Sequence, residues 1–279
     1  MGSGVAATLL RRGFAVSLLP GPRSSNVDLL LAQGARRVET ARALAAECRF
    51  VLTSLPSSRV VEAVVEGEDG LLAGAGPGLT HIDLTSGDPS ITAALVARYA
   101  ASNGRFVDVA LSGTPEHAAV GELTALVGAD AATLADIEQL IRAFSRRIVH
   151  VGGPGSGHRI KLIMSFIGMA MANASAEALA VTRASGIELE TLRGLIEETA
   201  MNSGTFQAMA KAAMDGDEAQ RKITIAQSHR DIQCMVAMTR DLGVPAMIAP
   251  ATLASLAKAV EQGHGSDFVP ALTRLLAKS

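Results

Sequence analysis

The chain has 279 residues, 48% hydrophobic and 19% charged, which is enough for two ordinary domains with buried cores. A formal charge of -2, a pI near 6.3 and no basic block argue against a nucleic-acid or membrane-surface partner. No uninterrupted apolar run reaches bilayer-spanning length, 3% aromatics with no Trp argue against stacking on bases, and the isolated Cys48 and Cys234 argue against a disulfide scaffold or zinc site.

In chain order, the spacing predicts a helix from about residue 2, closed by Gly13, then a strand over 14–19 and a loop over 20–25. A helix over 27–33, a strand over 35–38, a helix over 40–48 and a strand over 50–55 ending at Pro56 follow. Next come a helix over 57–65, a strand over 79–84, a helix over 89–103 and a strand over 105–108. Strands over 123–127 and 147–150 flank a helix over 131–144. Such alternation implies βαβ units and a largely parallel sheet. From residue 154 onward the pattern is helical: 154–185, 189–199, 205–214, 220–242, 249–261 and 268–277. The glycine cluster Gly152-Gly-Pro-Gly-Ser-Gly157 marks the boundary, so the expected domains are 1–153 and 154–279. The long helix is rich in small residues, as suits either a buried helix in its own domain or close approach by a helix of a second subunit.

The opening departs from the usual dinucleotide-binding order of strand, glycine-rich turn and helix. Gly2 and Gly4 read either as an added Met-Gly-Ser start or as the tail of a phosphate-binding turn whose first half is not in the chain. Three strand ends carry Ser, Thr, Gly or Pro: Leu55-Pro56, Asp83-Leu-Thr-Ser-Gly-Asp88 and Leu111-Ser112-Gly113. Each alone is an ordinary turn; together they suit one crevice at the carboxyl edge of a parallel sheet. Gly155-Ser-Gly157-His158 lacks the Lys-Ser or Lys-Thr that a P-loop needs. The six histidines show no ligand spacing, and no G-x-S-x-G element is present. Lys161, one turn into the long helix, is either a solvated residue or a group aimed into a cleft.

These segments, in this order, resemble the β-hydroxyacid dehydrogenase family, which includes 3-hydroxyisobutyrate dehydrogenases and relatives of 6-phosphogluconate dehydrogenase. Met1-Gly2 and the run to Gly13 are similar to the end of the family's glycine fingerprint and its first helix. Leu55-Pro56 with Val60 resembles the Leu-Pro cofactor motif, and Asp83 to Pro89 the Asp-x-Ser-Thr-x-x-Pro segment, with Ser86 at the threonine position. Asp108-Val-Ala-Leu-Ser-Gly113 resembles the substrate motif, and Gly155-Ser-Gly-His-Arg-Ile-Lys161 the catalytic Gly-x-Gly-x-x-x-Lys.

The resemblance implies an α/β fold: a Rossmann-like, mostly parallel sheet domain followed by an all-α substrate and dimerisation domain. It implies hydride transfer between nicotinamide and a small β-hydroxyacid or aldehyde acid, with Lys161 as general acid/base. Burial in a closed cleft would bring the lysine towards working pH. Ser112 and the Gly113 amide would hold the substrate carboxylate, Ser165 would assist, and Met1, Gly2, Arg23, Ser24, Leu55, Pro56, Val60, Ser86 and Arg230 would contact the cofactor. The loop after the second strand offers Arg23, Ser24 and Ser25 instead of an acidic residue, which favours NADP, with NAD as the alternative.

Several positions depart from the family pattern. Its paired asparagines are Met164 and Ser165, the second glycine of the substrate motif is Thr114 followed by Pro115-Glu116-His117, and its Lys-Asp pair is Arg230-Asp231. The first strand and two fingerprint glycines are missing, which should expose the neighbouring strands and weaken pyrophosphate binding. A non-catalytic relative and an imine reductase-like enzyme therefore stand as alternatives. A homodimer or homotetramer in the cytoplasm, without nucleic acid, membrane or metal, completes the expectation.

Overall fold

The computed structural model describes residues 1–21, 24 and 26–276. The chain forms two compact units, Met1–Lys161 and Leu162–Ser279.

The first unit alternates as the sequence predicts. It contains α1 (Gly2–Arg11), β1 (Ser17–Leu18), α2 (Val27–Ala32), β2 (Arg36–Arg37), α3 (Ala41–Glu47), β3 (Phe50–Thr53), α4 (Ser58–Val65), α5 (Leu71–Gly74), β4 (Thr80–Asp83), α6 (Pro89–Ala101), β5 (Arg105–Ser112), α7 (Pro115–Val120), β6 (Leu123–Gly128), α8 (Ala131–Phe144) and β7 (Ser145–Gly152). Side chains start several helices: Thr40 accepts from the Ala43 amide, Asp88 from Ser90 ahead of Pro89, and Asp130 from Thr133.

A five-stranded sheet runs in the order β3-β4-β5-β6-β7. β3, β4 and β5 are parallel, with Thr53, Asp83 and Asp108 in successive register. β6 reverses against β5, and β7 runs parallel to β6. The carboxyl ends of β3, β4 and β5 therefore share one edge. Alternation along the strands fills both faces: Ile82, Val107, Val109 and Leu123 pack with Val5, Ile141 and Phe144 on one side, while Val51 and Phe106 pack with Val61, Leu95 and Tyr99 on the other. Burying each such large side chain contributes roughly 1.5–3 kcal/mol.

Three expectations are corrected, and one helix is added. The strands predicted over 14–19 and 35–38 shrink to a two-residue parallel pair, β1 with β2, in a separate sheet. The strand predicted over 105–108 runs to Ser112, because β6 pairs with it as far as Thr124. A short helix, α7, follows it in a stretch for which no element is predicted, held by a Thr114–His117 capping box and ended by Gly121 at φ 79°. The helix predicted over 220–242 begins only at Ile225, where the Thr224 side chain accepts from the Gln227 amide; Glu218–Gln220 is a separate 3-10 turn.

The second unit is helical. The 29-residue α9 (Ser156–Ala184) enters it from the first, followed by α10 (Leu189–Glu197), α11 (Gly204–Asp215), α12 (Ile225–Asp241), α13 (Ile248–Ala259) and α14 (Leu272–Leu276). Its core joins Met169, Ala172, Ala176 and Leu179 of α9 to Met209, Ile232, Leu256 and Leu272. By length and composition alone α9 is long and apolar enough to cross a bilayer, but Ser165, Asn173, Ser175 and Glu177 interrupt its apolar run, and those four side chains lie in the unit's own core.

Candidate active site

The start of α9 is built around Asp108. This aspartate, fully buried in the middle of β5, accepts the Gly155 amide on Oδ1 at 2.5 Å and the His158 amide on Oδ2 at 2.8 Å. A carboxylate thus meets the positive end of the helix, and two amides that the helix cannot pair find an acceptor. The glycines permit the approach: a Cβ on Gly157 would stand 2.6 Å from the Leu126 carbonyl oxygen, and one on Gly128 2.5 Å from Asp108 Oδ1. The glycine motif serves close packing of helix on sheet.

One turn further, Lys161 Nζ donates to the Leu111 carbonyl at 2.9 Å. This places the lysine beside Ser112-Gly113, at the carboxyl end of β5. Gly113 takes φ 138°, and a Cβ there would meet Leu123 Cδ2 at 2.8 Å, so the turn requires glycine. Thr114 and His117 lock the next residues by mutual capping, with the Thr114 amide donating to His117 Nδ1 at 3.1 Å. In the second unit, Ser165 donates its hydroxyl proton to Asp231 Oδ2 at 2.8 Å, which leaves the serine oxygen as an acceptor. Asp231 is buried, whereas its neighbour Arg230, the residue singled out from sequence, is exposed.

The other strand ends converge on α1. That helix begins without a side-chain cap at Met1, and a Cβ on Gly2 would lie 3.1 Å from Ser54 Cβ, so the helix start rests against the turn after β3. The Leu55 amide donates to Thr85 Oγ1 at 3.1 Å, and the Asp88 amide to Ser58 Oγ at 2.6 Å, tying the turns after β3 and β4 together. Pro56, Val60 and Ser86 are exposed around these turns. A helix N-terminus facing the carboxyl edge of parallel strands fits a dinucleotide pyrophosphate. Ser24, exposed, accepts from the Gly21 amide at 2.9 Å; Arg23 and Ser25 lie outside the described residues. Among the described residues no cluster of His, Cys, Asp and Glu could hold a metal.

Behind the strand ends runs a buried polar row that sequence reasoning missed. Thr53 Oγ1 donates to Asp83 Oδ1 at 2.8 Å, so the bond at 2.8 Å between Thr53 and His81 must come from a protonated Nε2. His81 Nδ1 is then the acceptor for the Tyr99 hydroxyl at 2.9 Å. Burial pushes His81 down to about 4 against a smaller opposing effect of Asp83, which agrees with this neutral tautomer. Burial, then Asp83, pushes the Tyr99 phenol up.

Two family models match successive parts of the chain. The NAD binding domain of 6-phosphogluconate dehydrogenase matches residues 1–152, and the NAD-binding domain of NADP-dependent 3-hydroxyisobutyrate dehydrogenase matches residues 155–276. The chain is 32% identical over 251 residues to 2-(hydroxymethyl)glutarate dehydrogenase of Eubacterium barkeri, covering 88% of this chain and 81% of that protein. It is 26% identical over 265 residues to 3-sulfolactaldehyde reductase of Escherichia coli, covering 95% and 89%. Its fold superposes on Mycobacterium tuberculosis 3-hydroxyisobutyrate dehydrogenase, solved with L-serine, with a TM-score of 0.88 at 21% identity over 99% of this chain and 95% of the other.

Proposed function

The chain belongs to the β-hydroxyacid dehydrogenase family of NAD(P)-dependent oxidoreductases, and within it we propose that Lys161 is the general acid/base for a small β-hydroxyacid or aldehyde acid, with NADP preferred to NAD. The observation that carries this reading is the bond from Lys161 Nζ to the Leu111 carbonyl, which fixes the lysine beside Ser112-Gly113. A carbonyl directs an ammonium group without neutralising it. Bound nicotinamide supplies or takes the hydride. In oxidation Lys161 takes the hydroxyl proton; in reduction it returns one to the oxygen as charge develops there. Ser112 and the Gly113 amide bind the substrate carboxylate and hold the reacting carbon in place. Ser165, its own proton committed to Asp231, accepts from a substrate hydroxyl. Gly2 at the start of α1 receives the pyrophosphate, with Met1, Leu55, Pro56 and Val60 around it.

The preference for NADP rests on the sequence after β1, where Arg23, Ser24 and Ser25 stand and no acidic residue is present between 19 and 26. Ser86 and Arg230 complete the proposed cofactor contacts. The proposal includes a homodimer or homotetramer in the cytoplasm: Ile163, Met164, Ile167 and Met171 form an exposed apolar face on α9 that suits a second copy. The non-catalytic and imine reductase-like alternatives are not favoured, since the relatives named above act on hydroxyacids or an aldehyde acid and Lys161 is retained.

The test is steady-state turnover of a panel of small hydroxyacids and aldehyde acids with NADP(H) and NAD(H), for the native chain and Lys161→Met. The expected result is a fall in kcat of about a thousandfold in the variant with cofactor affinity unchanged. Native-like turnover by Lys161→Met would refute the assignment.

A further inference from the structure

His158 lies one turn before Lys161 on α9, and its side chain is fully buried. Its ring fills the space left by Gly87, where a Cβ would stand 2.1 Å from Nδ1. Nδ1 is 2.7 Å from Thr92 Oγ1, and that hydroxyl donates its one proton to the Asp88 carbonyl at 2.9 Å. Nδ1 must therefore be the donor to Thr92. Nε2 has no hydrogen-bond partner among the described residues and stands 3.9 Å from Asp83 Oδ2. Asp83 is buried at the end of β4, in register with Asp108, and its other oxygen accepts from Thr53 Oγ1 and the Thr85 amide.

The two neighbouring aspartates thus face one residue. Asp108 takes the His158 backbone amide, and Asp83 faces the His158 ring. The ring is therefore held on one side by the bond to Thr92, while its Nε2 edge faces the Asp83 carboxylate at 3.9 Å, beyond hydrogen-bond reach.

We propose that His158 is a positioning residue for this reaction: its ring, bonded to Thr92 of α6, seated against Gly87 and facing Asp83 of β4, fixes the first turn of α9 and with it the direction in which Lys161 is presented. The proposal rests on Lys161 as the proton-transfer group, but the seating of the ring can be read independently of turnover.

The experiment compares kcat, KM and amide hydrogen exchange in the first turn of α9 for the native chain, His158→Ala, His158→Asn and His158→Gln. Asn keeps a nitrogen near Nδ1 for Thr92; Gln carries an amide towards Asp83. His158→Ala should lower kcat about a hundredfold at nearly constant KM, as expected when a reacting group is misplaced by about an ångström. Exchange in residues 156–161 should accelerate, and Asn should restore part of both. Should the Ala variant not fold, the Asn and Gln variants decide. Native kcat in both of them, or reduced kcat with unchanged exchange, would overturn the proposal. If Lys161→Met retains turnover while the His158 variants accelerate exchange, the seating of His158 stands and the role of Lys161 fails.

Discussion

The helices α1 and α9 both start among glycines, and they treat their N-termini in opposite ways. α9 receives Asp108 from inside the protein, which accepts two of its first amides, and Gly157 lets helix and sheet backbones meet. α1 has no side-chain cap, and Gly2 rests against the turn after β3. Where the protein supplies its own carboxylate, the positive end of the helix is spent on architecture. Where it supplies none, that end remains suited to an anion from outside. A glycine-rich helix start is therefore two different devices, told apart by whether an acidic side chain is delivered to it.

The strongest way to break this contrast is to remove the internal anion. Asp108→Ala should lower stability by about 3 kcal/mol, because two buried amides lose their acceptor, and urea denaturation should report it. A loss below about 1 kcal/mol would mean water replaces the carboxylate. Paired glycine substitutions sharpen it further. Gly157→Ala should cost about 2 kcal/mol of stability, since its Cβ meets backbone oxygens. Gly2→Ala should change stability by less than about 0.5 kcal/mol yet weaken NADPH binding about tenfold in a fluorescence titration. Equal effects on stability at the two sites would abolish the distinction.

The smallest effect concerns pH. The buried His81 is held at about 4, below its ordinary 6.5, so the unfolded chain binds this proton more readily. The stabilisation is complete above 6.5 and is lost as pH falls towards 4. Between pH 7 and pH 5 the loss is about 2 kcal/mol, and His81→Gln should flatten that part of the profile in thermal denaturation.

Much of the fold was legible because strand and helix periods alternate cleanly from β3 to α9. The family motifs brought Lys161, Ser112 and Gly113 to attention, and the fold sets Lys161 beside the other two. Other features were hidden because they depend on partners distant in sequence. Pro115-Glu-His shows no helix until His117 is seen to cap Thr114. Arg230 and Asp231 look like one charged pair, yet the helix turns one outward and buries the other against Ser165. His158 follows a glycine in a polar stretch that resembles surface, and only the sheet beneath it makes it an interior residue. Periodicity records which face a residue takes; it does not record which group waits opposite.

The row from Tyr99 to Asp83 has an optical consequence. The chain has no Trp and one Tyr, so excitation beyond the phenylalanine band draws its ultraviolet emission from a single phenol buried against the sheet and bonded to His81. That ring is a built-in spectroscopic reporter for this one interior row. Reduced nicotinamide, which emits at longer wavelengths, can be followed in the same cuvette without interference from indole.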